Sequence, residues 1–312
     1  MRIRTLRQQS PVFVSLLIAT HFLLPGPLSA QTGFRGEVRS WQQSRLAELK
    51  SDNGWLTLTG LFWLKQGSNS IGSARSANVE LPAGSAPEKV GSIVLDKDRV
   101  TFAVSDGVNV TVNGKVVHDF DLIADAGPKS TVAHVGTLSI SLIKRGEHYA
   151  IRVKDSNSAA RREFRGLEWF EAKQDYRVTA TLEPFEKPKE VAIPNVLGDS
   201  YKMTSPGVLH FTLLGKVLTL QPVFEDEKLF IIFRDETTGK STYGAGRFLY
   251  ADAPVNGKVI LDFNRAFNPP CAFTAYATCP LPPRQNRLQV AVEAGERAYR
   301  HSGQALLQHP RN

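Results

Sequence analysis

Seven residues between positions 234 and 296 concentrate the polar chemistry of this chain. Arg234 lies in Phe233-Arg234-Asp235-Glu236-Thr237-Thr238-Gly239, and Tyr243 and Arg247 lie in Thr242-Tyr243-Gly244-Ala245-Gly246-Arg247-Phe248. Asp262 and Asn264 share Asp262-Phe263-Asn264, Asn286 precedes Arg287-Leu288, and Glu296 follows Gly295. Arginine, tyrosine and asparagine supply donors, while Asp262 and Glu296 supply acceptors or orient the arginines. Such a set suits a small polar or anionic ligand. It also suits a hydrolase in which Asp262 or Glu296 acts as general base beside an arginine that stabilises developing negative charge. A third reading, a structural or interaction protein, ties the same groups up in internal hydrogen bonds. Whether the chain is an enzyme stays open among the three. Arg247 follows glycines that allow close approach, and Asp262 ends the apolar run Val259-Ile260-Leu261, so the two are expected to pair.

The better-known catalytic signatures are missing. There is no Gly-x-Ser-x-Gly elbow, no His-Glu-x-x-His and no phosphate-binding glycine loop before a lysine. Histidines are scattered, so no cofactor and no metal site are expected. The two cysteines, Cys271 and Cys279, cannot complete a zinc site by themselves. In an oxidising compartment they would pair as a disulfide. They sit in a proline- and aromatic-rich stretch, from Phe267 to Asn286, with little strand period and little charge. A loop of that length is expected to be packed down, either as a staple or around a ligand.

Most of the elements that would position these groups read as strands. Val108, Val110 and Val112 alternate with polar residues, and Asn113-Gly114 turns the chain back into Lys115-Val116-Val117, the pattern of a tight hairpin. Thr137 to Ile143 and Tyr149 to Val153 form another hairpin through Arg145-Gly146, and Trp55 to Leu64, Ile93 to Leu95 and Val100 to Val104 read as further strands. In the C-terminal half the strand candidates are Tyr176 to Leu182, Val208 to Leu213, Val217 to Leu220, Leu229 to Phe233, Val259 to Phe263 and Leu288 to Val292, with Pro184, Pro188, Pro194 and Pro206 assigned to loops. The exception is an N-terminal stripe, Phe34, Val38, Trp41, Leu46 and Leu49, whose helical spacing predicts an amphipathic helix ended by Ser51-Asp52-Asn53-Gly54, with the glycine in a left-handed cap.

The chain has 312 residues, 42% of them apolar and 22% charged, which reads as globular. Arg2, Arg4 and Arg7 precede an apolar run from Val12 to Leu24, a Pro25-Gly26-Pro27 break and Leu28-Ser29-Ala30, the layout of a secretory signal peptide cleaved after Ala30. The protein is therefore expected to be exported, periplasmic or secreted, with no membrane span once that segment is gone. The formal net charge is +8, and three of the arginines lie in the leader while none of the acids do. A modest basic excess without interleaved aromatics speaks against nucleic acid as a partner. The expected organisation is all-β: a signal peptide at 1–30, the helix at 31–54, a β-sandwich at 55–155, a second β barrel or sandwich at 156–298 and a tail at 299–312.

Two resemblances add to this reading. Gly67-Ser68-Asn69-Ser70-Ile71-Gly72, then Asn78-Val79-Glu80-Leu81, then Val112-Asn113-Gly114 before a final hairpin is similar to a forkhead-associated sandwich, a fold whose loops often read phosphothreonine. Ser73 stands where that family usually has an arginine, which implies the fold without phosphopeptide binding. The stretch from Thr242-Tyr243-Gly244-Ala245-Gly246-Arg247 through Asp262-Phe263-Asn264, Asn268-Pro269-Pro270-Cys271 and Cys279-Pro280 to Ala294-Gly295-Glu296 resembles the DUF1684 family of prokaryotic proteins. That resemblance implies kinship over nearly all of the mature chain and assigns no catalytic role.

Overall fold

The computed structural model describes residues 27–125 and 129–300. The expected signal peptide lies almost wholly outside them, as does most of the expected tail.

Helix α1, Pro27–Lys50, presents Phe34, Val38 and Leu49 inward, as the stripe predicts. Arg45 lies on the same face and is buried with them. Gly54 follows the helix with φ −65°, so it is no left-handed cap. Its need is space: a Cβ there would stand 2.2 Å from the Leu49 carbonyl oxygen.

Eleven strands follow. They are Leu58–Trp63 (β1), Gly67–Gly72 (β2), Val79–Glu80 (β3), Gly91–Asp96 (β4), Arg99–Val104 (β5) and Val110–Val112 (β6). Lys115–Val117 (β7), Asp119–Asp121 (β8), Val132–Val135 (β9), Leu138–Arg145 (β10) and His148–Asp155 (β11) complete the set. They form a six-stranded sheet in the order β1-β11-β10-β9-β6-β7 and a five-stranded sheet in the order β3-β2-β4-β5-β8. One apolar core lies between the two, with Ile93, Phe102, Ile140, Ile151 and Val153 in it. Asn113 and Gly114 both take positive φ, 50° and 74°, and turn β6 into β7 with Val112 opposite Lys115.

The C-terminal half contributes Arg177–Pro194 (β12), Ser200–Leu213 (β13), Lys216–Leu220 (β14), Val223–Glu225 (β15), Lys228–Phe233 (β16), Arg247–Ala251 (β17) and Lys258–Asp262 (β18). They make a four-stranded sheet, β14-β13-β12-β18, and a three-stranded sheet, β15-β16-β17, around a shared core. The protein is mainly β, as expected. β12 and β13 form an arm longer than the prolines suggested. The register shifts between Pro184 and Lys189, opposite Ser205 and Gly207, and that irregularity takes up Pro188 and Pro206, whose missing N–H groups no ladder then needs.

Leu288 to Val292 is not a ladder strand. Its alternation is real, with Leu288, Val290, Val292 and Ala294 entering the core, but only Leu288 and Val290 bond a neighbouring backbone, at Arg234 and Glu236, and Val292 is held by side chains, described below. β16 is buried on both faces. Leu229, Ile231 and Phe233 point into the core of the C-terminal half. Phe230 and Ile232 point the other way, into an apolar layer shared with Leu58, Val223, Phe248, Cys271 and Cys279. The same period of two in β17 sends Arg247, Leu249 and Ala251 to one side and Phe248 and Tyr250 to the other.

Candidate functional site

The seven sequence-selected residues hold backbone together. Arg247 is 1% exposed because its strand position points it inward. Its guanidinium donates to the carbonyls of Val292 (2.8 Å), Ala294 and Glu296 (3.4 Å), and Asp235 lies 3.5 Å away. Asp235 in turn accepts from the Val292 N–H at 2.7 Å and from the Thr237 and Thr238 hydroxyls. Together Arg247 and Asp235 satisfy backbone groups of residues 292–296 that no strand among the described residues reaches, while Gly295 and Glu296 also bond the backbone of Phe170 and Ala266. The expected Arg247–Asp262 pair is thus corrected. Asp262 is instead faced by Arg177 at 3.3 Å and Arg265 at 3.4 Å, and it accepts from the Asn264 backbone N–H at 3.1 Å. Asp262 Oδ2 accepts no hydrogen bond among the described residues, so its contact with the two arginines is chiefly charge attraction.

Asn264 pairs with both backbone groups of Lys173, each at 2.9 Å, and Asn286 does the same for Gln221 at 2.8 and 2.9 Å. Tyr243 donates to the Cys271 carbonyl at 3.0 Å, and burial raises its phenol pKa. Arg234 donates to the Gly244 carbonyl at 3.0 Å. Glu296, 0% exposed, accepts from Arg45 Nε at 3.1 Å and from the Asn268 N–H at 2.7 Å. Arg45 also donates to the Asn268 carbonyl at 3.1 Å, so the helix is bolted to the C-terminal half through this carboxylate. Gly295, at φ +77°, lets Glu296 turn in there, since a Cβ would stand 2.3 Å from the Ala266 carbonyl oxygen. Cys271 and Cys279 are both buried free thiols, which corrects the expected disulfide. The Cys271 backbone N–H donates to Cys279 Sγ at 3.1 Å, so the thiols share one turn without a bond between them.

None of the seven lines the principal cleft. That cleft, about 830 Å³, opens where helix α1, the outer face of the six-stranded sheet and the outer face of the three-stranded sheet meet. A volume of that size is ordinary for a small-molecule site. Trp41, Arg45 and Glu48 come from the helix, Lys144, Arg145 and Arg152 from β10 and β11, and Phe230, Phe248 and Tyr250 from β16 and β17. Tyr201 and Met203 enter from the long arm, and Phe267, Thr278 and Cys279 from the irregular loop. The aromatics form a continuous wall: Phe230 stacks on Tyr250 at 5.0 Å, Tyr250 on Phe267 at 5.8 Å, and Trp41 lies 6.5 Å from Phe267.

The cations of the cleft differ in how they are balanced. Arg45 has Glu296, Lys144 has Asp98 at 3.5 Å, and Arg145 forks onto Asp125 at 3.0 and 2.8 Å. Arg152 has no such partner among the described residues. Its guanidinium lies 5.6 Å from the Trp55 ring, and its buried Nε has no hydrogen bond. Burial, and then the neighbouring Arg145, push its pKa down, and the attraction of Asp125, which Arg145 already engages, does not offset them. The sequence hid Arg152 because it occupies an outward strand position between Ile151 and Val153, where an arginine reads as solvated. Arg45 was detectable, since it falls four residues after Trp41 and four before Leu49 on the apolar stripe. Among the described residues no group of three or more histidines, cysteines and acids could hold a metal ion, and no helix is long and apolar enough to cross a membrane.

The family described as "Protein of unknown function (DUF1684)" matches residues 162–297. No curated protein matches the chain. Among solved structures, an uncharacterized protein of Haloarcula marismortui, determined by solution NMR, is 36% identical. That match covers 44% of this chain and 78% of that one, with a TM-score of 0.38. A forkhead-associated domain of FhaA, solved with the intracellular domain of another protein, is 22% identical. It covers 30% of this chain and 97% of that one, with a TM-score of 0.22. A second forkhead-associated structure, from a study of phosphothreonine-dependent interactions, is also 22% identical, over 30% of this chain and 92% of that one, with a TM-score of 0.22.

Proposed function

We propose a binding role for this chain, which belongs to the DUF1684 family of proteins of unknown function: after export it takes up a small amphipathic anion in the cleft between helix α1 and the two outer sheet faces. Export is inferred from Arg2, Arg4 and Arg7 followed by the apolar run and the small residues before Gln31. The binding reading rests on Arg152. A partly dehydrated guanidinium without a counter-charge destabilises the empty protein, and an anion that pairs with it relieves that cost. The aromatic wall beside it suits an apolar body on the same molecule.

The hydrolase reading draws less support. Asp262 and Glu296 are each 6% exposed or less, each is engaged by arginine and backbone partners, and neither lines the cleft. Thermal unfolding with matched probes tests the binding role. 4-Phenylbutyrate should raise the midpoint of the mature protein, while 4-phenylbutanol should not. At a ligand concentration one hundred times Kd the added stability is about 2.7 kcal/mol. Arg152→Gln should abolish the response. An equal response from Arg152→Gln, or from the neutral alcohol, would remove the basis of the proposal.

A further inference from the structure

The cleft that holds Arg152 also carries the opposite charge. Glu225, on β15, lines it and accepts a hydrogen bond from the Tyr250 hydroxyl. Among the described residues no cation pairs with Glu225. Its cross-strand neighbour Lys228 sends its ammonium towards Asp252, at 3.9 Å. Glu48 on α1 is the next acid along, half engaged by Arg45 at 3.3 Å. Arg152 lies against the Trp55 ring, whereas Glu225 is held by Tyr250, whose ring stacks on Phe230 and Phe267. Burial and the Glu225 hydrogen bond raise the Tyr250 phenol pKa, so this group stays a donor and leaves further lone pairs of Glu225 open.

Resting on the binding role above, we infer that the ligand is a small apolar zwitterion, with its carboxylate at Arg152, its ammonium at Glu225 and its apolar body along Phe230, Tyr250 and Phe267. Charge complementarity carries the argument. One cation and one anion, neither with an ion pair of its own among the described residues, on the lining of one apolar cleft match a molecule with both charges, and each matched charge also discriminates against analogues that lack it. The aromatic run Phe230, Tyr250 and Phe267 on the same lining suits an extended apolar dipeptide better than an α-amino acid, which holds both charges on one carbon.

Calorimetric titration of the mature protein with Phe-Phe, N-acetyl-Phe-Phe and Phe-Phe amide tests this. Free Phe-Phe should bind most tightly, and acetylation or amidation should each weaken binding by about tenfold or more, the scale of one charged hydrogen bond. In Glu225→Gln the acetylation effect should vanish while the amidation effect remains, and Arg152→Gln should show the reverse. N-acetyl-Phe-Phe binding as tightly as Phe-Phe overturns the ammonium subsite and leaves the anion site standing. Phe-Phe amide binding as tightly as Phe-Phe, with Arg152→Gln unaffected, overturns both readings. Absence of saturable heat from Phe-Phe overturns the inference, and a phenylbutyrate response that persists in that case keeps the anion site.

Discussion

Replacing Arg247 with alanine removes the one side chain that spans three backbone carbonyls of the C-terminal segment. The structure makes the cost specific. Asp235, also buried, is left without its guanidinium, and breaking one side of a buried pair costs about 3–5 kcal/mol. The carbonyls of Val292, Ala294 and Glu296 lose a donor, at about 1–3 kcal/mol for each that water cannot reach. These losses overlap, because water entering the vacated space satisfies part of them. The net is on the order of 5 kcal/mol, a large share of the stability of an ordinary domain. Urea unfolding followed by tryptophan fluorescence reads it. With a slope of about 2.5 kcal/mol/M, the midpoint should fall by roughly 2 M. Arg247→Lys should fall between, since one ammonium cannot reach all three carbonyls and Asp235 together. A midpoint for Arg247→Ala within about 0.4 M of the parent would refute the reasoning, because it would mean that the apolar side chains, the backbone bonds of Gly295 and Glu296 and the Arg45–Glu296 pair suffice to hold the segment.

Arg45→Leu should release helix α1 and leave Glu296 buried without its cation, a loss of about 3–5 kcal/mol accompanied by faster proteolysis near the helix; unchanged protease resistance would argue against the bolt. Denatured, unreduced protein should react with two equivalents of a thiol reagent, one each at Cys271 and Cys279, and no reaction would show that they are bonded. Arg177 holds the Glu37 carboxyl below its ordinary value of 4.5. Its contribution to helix docking is therefore present above that value and lost as pH falls through the lowered one, so Trp41 fluorescence should change in acid for the parent and not for Glu37→Gln. The exported protein should have the mass of a chain starting at Gln31. Cleavage there removes four helical residues but leaves the buried Phe34 in place, and an intact mass including Met1 would refute export by this route.

How much of this was legible in the sequence depended on whether the cause was local. The α1 stripe and the Asn113-Gly114 hairpin were readable because periodicity and turn chemistry act within a few residues. The long β12–β13 arm was not, because its prolines are tolerated only where the register slips, a property of two strands jointly. Leu288 to Val292 has the alternation of a strand, but only Leu288 and Val290 find backbone partners, at Arg234 and Glu236, and from Val292 on the side chains of Asp235 and Arg247 take over. The motif residues bond backbone and do not line the cleft, and the sequence could not tell a ligand donor from a donor to backbone. Arg152 was invisible as a site because its strand face is covered by elements far away in the chain.

The clamp on residues 292–296 also bears on the order of assembly. Arg247 enters the chain 45 residues before Val292 and 49 before Glu296, and until those carbonyls arrive its charge has only Asp235 for company inside the forming core. A chain threaded through an export channel with its N-terminus leading can complete the first sandwich while the rest is still in transit. The C-terminal half cannot close vectorially in that way. Residues 292–296 act as a latch, so that half should fold slowly and in a single late step, with sheet edges exposed to capture until the latch engages.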